Sequence, residues 1–168
     1  MKKPIIYLIG SLRNPEIPHI AIQLRDVGFE VYDAWWSASE DADDWWQKHE
    51  RLKGNDYKKA LNGHHATDVF EVDKKHLDRS DLAVLVMPAG RSGHLELGYF
   101  IGTGKPGYVL FDQEPERFDL MYKFCVDVCF SIEDLKTVLG RHVPRAAMDP
   151  CKVREVGLIP TLSTIKEI

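Results

Sequence analysis

Apolar residues in this chain fall into short unbroken runs, separated by longer stretches in which they recur at helical spacing. Ile5 to Ile9 is an unbroken apolar run stopped by Gly10, and it predicts a buried first strand. Asn14-Pro15-Glu16 then reads as a helix start, with a capping residue, a proline at the first helical position and an acid. Ile17, Ile20, Leu24 and Val27 follow at helical spacing up to Gly28, and Phe29 to Tyr32 forms a short second strand. A strand-helix-strand unit of this length predicts that the two strands run parallel. Leu82 to Met87 is apolar throughout, as a central strand covered on both faces should be. Its helix spans 94–102 and ends at Gly102 and Gly104, before Pro106. Gly107 to Phe111 reads as strand four, with a helix from about Pro115 to Phe124, and Val126 to Phe130 as strand five. Ser131-Ile-Glu-Asp134 is a variant capping box that opens a last helix reaching Leu139.

Residues 33–66 interrupt this rhythm. They hold all four tryptophans as two adjacent pairs, Trp35-Trp36 and Trp45-Trp46, among many charges. Asp41 to Leu52 has helical character, and Gly54-Asn55 and Asn62-Gly63 are turn signals, so the segment reads as a helical insertion over the sheet edge where the first two strands end. A helix from about Ala66 to Arg79 is expected to turn Val69, Val72 and Leu77 inward. After Gly140 the period fades: residues 1–140 read as one domain, and 141–168 as a tail that would wrap onto a neighbour. Strands alternating with helices predict an α/β, doubly wound, three-layer sandwich of about five parallel strands in the order 2-1-3-4-5.

Composition narrows the class. A 168-residue chain with 44% hydrophobic residues can bury a core. A net charge of −4 argues against a dedicated nucleic-acid binder, which carries a basic face. Cys125, Cys129 and Cys151 lack the C-x2-C spacing of a zinc site and read as reduced thiols. Residues 1–10 turn polar too soon for a signal peptide, and no apolar run approaches membrane-spanning length. The expectation is a cytoplasmic protein with no membrane or nucleic-acid partner.

The 2-1-3-4-5 order opens a crevice between strands one and three, where doubly wound folds bind ligands at the strands' carboxyl ends. Gly10-Ser-Leu-Arg13 and Pro88–Glu96 would both line it. Glu96 falls one turn inside the helix after strand three, where the helix N-terminus favours its anion by about 0.3–1 kcal/mol. An ionised carboxylate against a sugar ring is what covalent cleavage of a glycosidic bond requires. Arg13 offers a bidentate fork to phosphate, the following helix adds free N–H groups, and Arg91 is a second cation on the adjacent loop. Asp73 sits among Glu71, Lys74, Lys75 and Asp78, where solvated i,i+4 pairing competes with a role in a site; Asp68 and Asp78 are its rivals at one-turn spacing. One of Trp35, Trp36, Trp45 or Trp46 would stack on a base, a contact worth about 1–3 kcal/mol. His64 and His65 lack a partner set for a metal and read as helix-surface residues.

Ile6-Tyr-Leu-Ile-Gly-Ser-Leu-Arg13, Asp73 seven residues before Ser80-Asp81, and Gly93-His-Leu-Glu-Leu-Gly-Tyr99 together resemble the nucleoside 2-deoxyribosyltransferase superfamily, which includes the 2′-deoxynucleoside 5′-monophosphate N-glycosidases. The similarity covers roughly residues 4–139. The resemblance implies a flavodoxin-like fold and a homodimer or larger assembly. It implies Glu96 as the nucleophile on C1′, Asp73 facing the leaving base, and Tyr7 orienting the glutamate. Ser11 and Arg13, with Gly10 in the same turn, match the 5′-phosphate site of the monophosphate hydrolases; Ser92, beside Gly93, would add a second phosphate contact. Glu114 to Tyr122 lacks the serine that a neighbouring subunit lends to phosphate in those hydrolases, and the asparagine arrangement of the transferases is not seen.

The expected activity is cleavage of the N-glycosidic bond of a (2-deoxy)nucleoside or nucleoside 5′-monophosphate through a glycosyl-enzyme. Water or a second base would resolve that intermediate. The carboxylates do the work, so neither metal nor cofactor is required. The Ser11/Arg13 pair tilts the balance slightly toward nucleotide hydrolysis. The alternative is a nucleotide-sensing module that uses the same crevice without turnover, with Glu96 holding ribose hydroxyls.

Overall fold

A computed structural model describes residues 2–143. The elements in chain order are β1 (Ile5–Ile9), α1 (Ile17–Asp26), β2 (Glu30–Tyr32), α2 (Ala42–Leu52), α3 (Tyr57–Leu61), α4 (His64–Arg79), β3 (Leu82–Val86), α5 (Arg91–Gly102), β4 (Gly107–Leu110), β5 (Asp127–Cys129) and α6 (Ile132–Leu139). Single 3-10 turns lie at Ala34–Ala38, Leu120–Phe124 and Gly140–His142. The five strands form one parallel sheet in the order β2-β1-β3-β4-β5, so the chain has the flavodoxin-like α/β architecture.

Alternation along the strands divides the core into two layers, as the two-residue period of a strand requires. Ile6 and Leu8 of β1 and Val84 and Val86 of β3 pack with Ile17, Ala21 and Leu24 of α1 and Leu135 and Leu139 of α6. Tyr7 and Ile9, with Ala83 and Leu85, face the opposite side and meet Leu77 of α4 and Leu97 and Phe100 of α5. Every residue of β1, β3 and β4 is buried, which explains their unbroken apolar runs. The Ser131 hydroxyl caps α6 by accepting from Asp134 N at 3.1 Å.

Several expectations are corrected. Helix α1 starts at Ile17, with Pro18 in its first turn; the Asn14 side chain instead accepts from Glu16 N at 3.0 Å in a turn ahead of the helix. The helix expected over 115–124 is absent, and only Leu120–Phe124 make a 3-10 turn. Phe118, Leu120, Met121 and Phe124 are all exposed there, so no apolar stripe finds a surface to pack on and hold a helix. On α4 only Leu77 is buried, while Val69 and Val72 are 50% and 53% exposed. Val72 lies five residues from Leu77 and so falls on the opposite side of the helix. With sixteen residues, α4 is about 24 Å long against roughly 17 Å for a five-residue strand, and its buried residue, Leu77, lies near its C-terminal end.

Residues 141–143, grouped with the tail by the sequence pattern, pack on the sheet: Val143 is buried, and His142 Nε2 lies 2.8 Å from the hydroxyl of buried Tyr108. The rest of the expected tail, and Cys151, lie outside the described residues. Cys125 and Cys129 are free thiols. Among the described residues no helix is long and apolar enough to cross a membrane.

Candidate active site

Parallel pairing sets Tyr7 of β1 opposite Tyr32 of β2 and Ala83 of β3, at the layer covered by α4 and α5. Tyr7 is 1% exposed, and its ring centroid lies 5.1 Å from that of Tyr32. Tyr32 in turn stacks on His76 of α4, with centroids 3.7 Å apart and planes within 9°. On α4, Leu77 anchors the sheet-facing stripe, which carries Asp73 one turn earlier toward the same side. Asp73 is partly buried and lies close enough to the Tyr32 hydroxyl for each to bear on the other's proton affinity. Glu96 of α5 is partly buried as well; it feels the charge of Asp73, and Tyr7 feels both carboxylates. Tyr7, Tyr32, Asp73 and Glu96 thus converge from four elements, β1, β2, α4 and α5.

The electrostatics of this cluster differ from the expectation. Gly90 is extended and caps α5, which begins at Arg91, so Glu96 lies in the second turn rather than the first. The favourable field of a helix N-terminus fades within one turn. Burial dominates instead, and with repulsion from Asp73 it pushes the Glu96 carboxyl up to about 7. Burial also raises Asp73, opposed by the nearby Tyr32 hydroxyl. Tyr7 is driven up by burial first and then by the two carboxylates, so its phenol stays protonated and available as a donor. The rival carboxylates are engaged at the surface. Asp78 accepts from Lys74 and from Tyr99, both at 2.6 Å, and Asp68 pairs with exposed His64 at 2.9 Å.

The first turn of the crevice is built by Gly10 to Asn14. Ser11 Oγ accepts from Arg13 N at 3.2 Å, and Asn14 N donates to the Ser11 carbonyl at 3.0 Å. A Cβ on Gly10 would stand 2.5 Å from Ile17 Cδ1 and 3.5 Å from Trp35 Cη2. The insertion is tied over this turn: Trp35 Nε1 donates to the Leu8 carbonyl at 2.7 Å, and Trp36 Nε1 to the Asn14 carbonyl at 2.9 Å. Both indoles therefore serve the fold at the mouth of the crevice. Trp45 is exposed and stacks on His49, and the buried Nε1 of Trp46 has no partner among the described residues.

At the start of α5, Arg91 and Ser92 are exposed and make no ion pair among the described residues. Gly93 is buried for packing: a Cβ there would meet Ile9 Cγ2 and Leu85 Cδ1 at 3.1 Å. His94 lies 2.8 Å from the Gly90 carbonyl through Nδ1 and 2.9 Å from the Tyr122 hydroxyl through Nε2, joining the 120–124 turn to this loop.

Two polar groups at the site were not singled out by the sequence. Tyr32 could have been found as an aromatic at the carboxyl end of β2, where ligands bind. Asp44 carries no such signal. It lies in the first turn of α2 and pairs with Arg13 at 2.9 Å, thirty-one residues away. Among the described residues no group of three or more His, Cys, Asp or Glu side chains is arranged around a common metal position.

No protein-family model matches the sequence, and no curated protein matches it. Solved structures do. One is a 2-deoxyribosyltransferase from the psychrotolerant bacterium Bacillus psychrosaccharolyticus, 20% identical over 79% of this chain and 90% of that one, with a TM-score of 0.53. Another is a conserved protein from Enterococcus faecalis V583, 16% identical over 84% of this chain and all of that one, with a TM-score of 0.61. At these identities the likeness is one of architecture, and the fold this chain adopts is the one seen in a 2-deoxyribosyltransferase.

Proposed function

We propose that the chain cleaves the N-glycosidic bond of a nucleoside or its 5′-monophosphate, with 2-deoxyribosyl compounds as the first class to try. The observation that carries this reading is the approach of Glu96 and Asp73 to Tyr7 of β1, in the layer that α4 and α5 cover. Burial and repulsion from Asp73 raise the Glu96 carboxyl and burial raises Asp73, so a second negative charge in the pair is disfavoured; the reactive form is the one with the charge on Glu96 and the proton on Asp73. Ionised Glu96, held by the Tyr7 hydroxyl, attacks C1′ while the C1′–N bond breaks and its electron pair leaves with the base. Asp73 gives its proton to that base. Water, or a ring nitrogen of a second base, then attacks C1′, frees the Glu96 carboxylate and returns a proton to Asp73.

In this reading Ser11 and Arg13 of the turn after β1, and Arg91 and Ser92 at the start of α5, would meet the 5′ side of the sugar. The fold shared with a 2-deoxyribosyltransferase supports the reading. The working form is a homo-oligomer, which would cover exposed Val69 and Val72 of α4 and Leu95 of α5. The test is incubation with a panel of nucleosides and 5′-monophosphates, with and without an acceptor base. Free base means hydrolysis and an exchanged nucleoside means transfer. Glu96→Ala is expected to bind substrate and release no base. A wild-type chain that binds nucleotides and releases no base from any of them would leave a binding module in its place.

A further inference from the structure

Arg13 is the one cation of the β1–α1 turn, and it does not face the crevice with its charge free. Its Nη2 pairs with the Asp44 carboxylate at 2.9 Å. Asp44 is brought there by the insertion. Trp35 and Trp36 fasten the Ala34–Ala38 turn to the Leu8 and Asn14 carbonyls, and α2 then begins only four residues later. Residues 33–46 contain five carboxylates and no lysine or arginine. Asp43 and Asp44 also occupy the first turn of α2 and neutralise its positive end, so this helix offers an incoming anion little. A phosphate monoester carries about 1.5 to 2 negative charges near neutrality. To use the guanidinium fork it would have to displace Asp44 and then sit beside it. An uncharged 5′-hydroxyl meets no such penalty.

We propose that Asp44 is a specificity-determining residue that turns the crevice toward the uncharged nucleoside and against its 5′-monophosphate. This rests on the glycosidic-cleavage reading above and narrows its substrate class, against the tilt that Ser11 and Arg13 alone give. Both partners are exposed, with side chains 54% and 71% accessible. The discrimination is therefore about fivefold, as for a solvent-screened pair worth roughly 1 kcal/mol.

The experiment compares kcat/KM for 2′-deoxynucleosides and their 5′-monophosphates at low ionic strength in the wild type, Asp44→Asn, Asp44→Glu and Asp43→Asn. The wild type is expected to prefer the nucleoside. Asp44→Asn should raise the monophosphate-to-nucleoside ratio about fivefold. Asp44→Glu should restore the wild-type ratio, showing that α2 still folds in place. Asp43→Asn removes the same charge from the same helix turn without touching Arg13, and should move the ratio less. A wild type that prefers the monophosphate overturns the inference, as does a ratio left unmoved by Asp44→Asn or moved equally by Asp43→Asn. If the wild type cleaves neither compound, the glycosidic reading fails. Calorimetric affinities of the same pairs of compounds then decide the Asp44 inference by the same ratios.

Discussion

Glu96 carries two opposed demands. Attack on an anomeric carbon needs its anion, yet the partly buried setting that keeps water from the site favours the acid. The neighbouring Asp73 sharpens the conflict by repelling a second negative charge. Asp73→Asn removes that repulsion and the proton donor together. The variant should lose about 10²- to 10⁴-fold in kcat, as for a missing general acid. Its remaining activity should titrate at lower pH than the wild type, because Glu96 no longer ionises against a like charge; matched pH–rate profiles would show it. Stability follows the same carboxyl with a definite sign. Its pKa is 4.5 in the ordinary state and about 7 when folded, so between these values the folded chain holds a proton that the unfolded chain has lost. Its contribution is complete below the lower value and is lost as pH rises through the upper one. Glu96→Gln should therefore unfold like the wild type near pH 4 and resist denaturant better at pH 8, by on the order of 1–3 kcal/mol.

At the level of elements, what positions Glu96 is how closely α5 approaches the sheet. Gly107 of β4 has no room for a side chain: a Cβ would lie 2.8 Å from Ile101 Cγ1 and 2.9 Å from Leu97 Cδ1. Gly107→Ala should cost about 1–3 kcal/mol, read from the denaturant midpoint. The strands and the sheet order were legible in the sequence because burial on both faces writes itself as unbroken apolar runs, as in Leu82 to Val86. Glu96 stands out because it follows a central strand, whereas Asp73 is preferred to Asp68 and Asp78 only through the family resemblance, since among so many charges its stripe shows only once Leu77 fixes the helix face. The failures have physical causes. Pro15 and Pro115 look like helix starts, but Pro15 falls in the Asn14–Glu16 turn ahead of α1, and the apolar residues after Pro115 find no surface to pack on. Val69 and Val72 look inward-facing until Leu77 fixes the rotation of α4. The Arg13–Asp44 pair joins two exposed residues far apart in the chain, and no periodicity records such a contact.

For the whole molecule, the sheet accounts for its centre, while α4 and the 118–124 segment present apolar side chains outward. Val69, Phe70, Val72 and Leu95 are each at least half exposed. If the working form is an assembly that covers the α4 and α5 members of this set, Val72→Glu combined with Leu95→Glu should shift the sedimentation coefficient toward that of a monomer. Substrate cleavage by the remaining species would show whether a neighbour is needed.

All four tryptophans of the chain stand between positions 35 and 46. Indole emission therefore reports on a single region, the cover over the β1 exit, and carries no direct signal from β4, β5 or α6. A ligand entering beneath Trp35 and Trp36 should alter that emission without any attached dye. On heating or in denaturant, a fluorescence transition that precedes loss of the far-ultraviolet circular dichroism would mean that the cover lifts while the sheet beneath it is still intact.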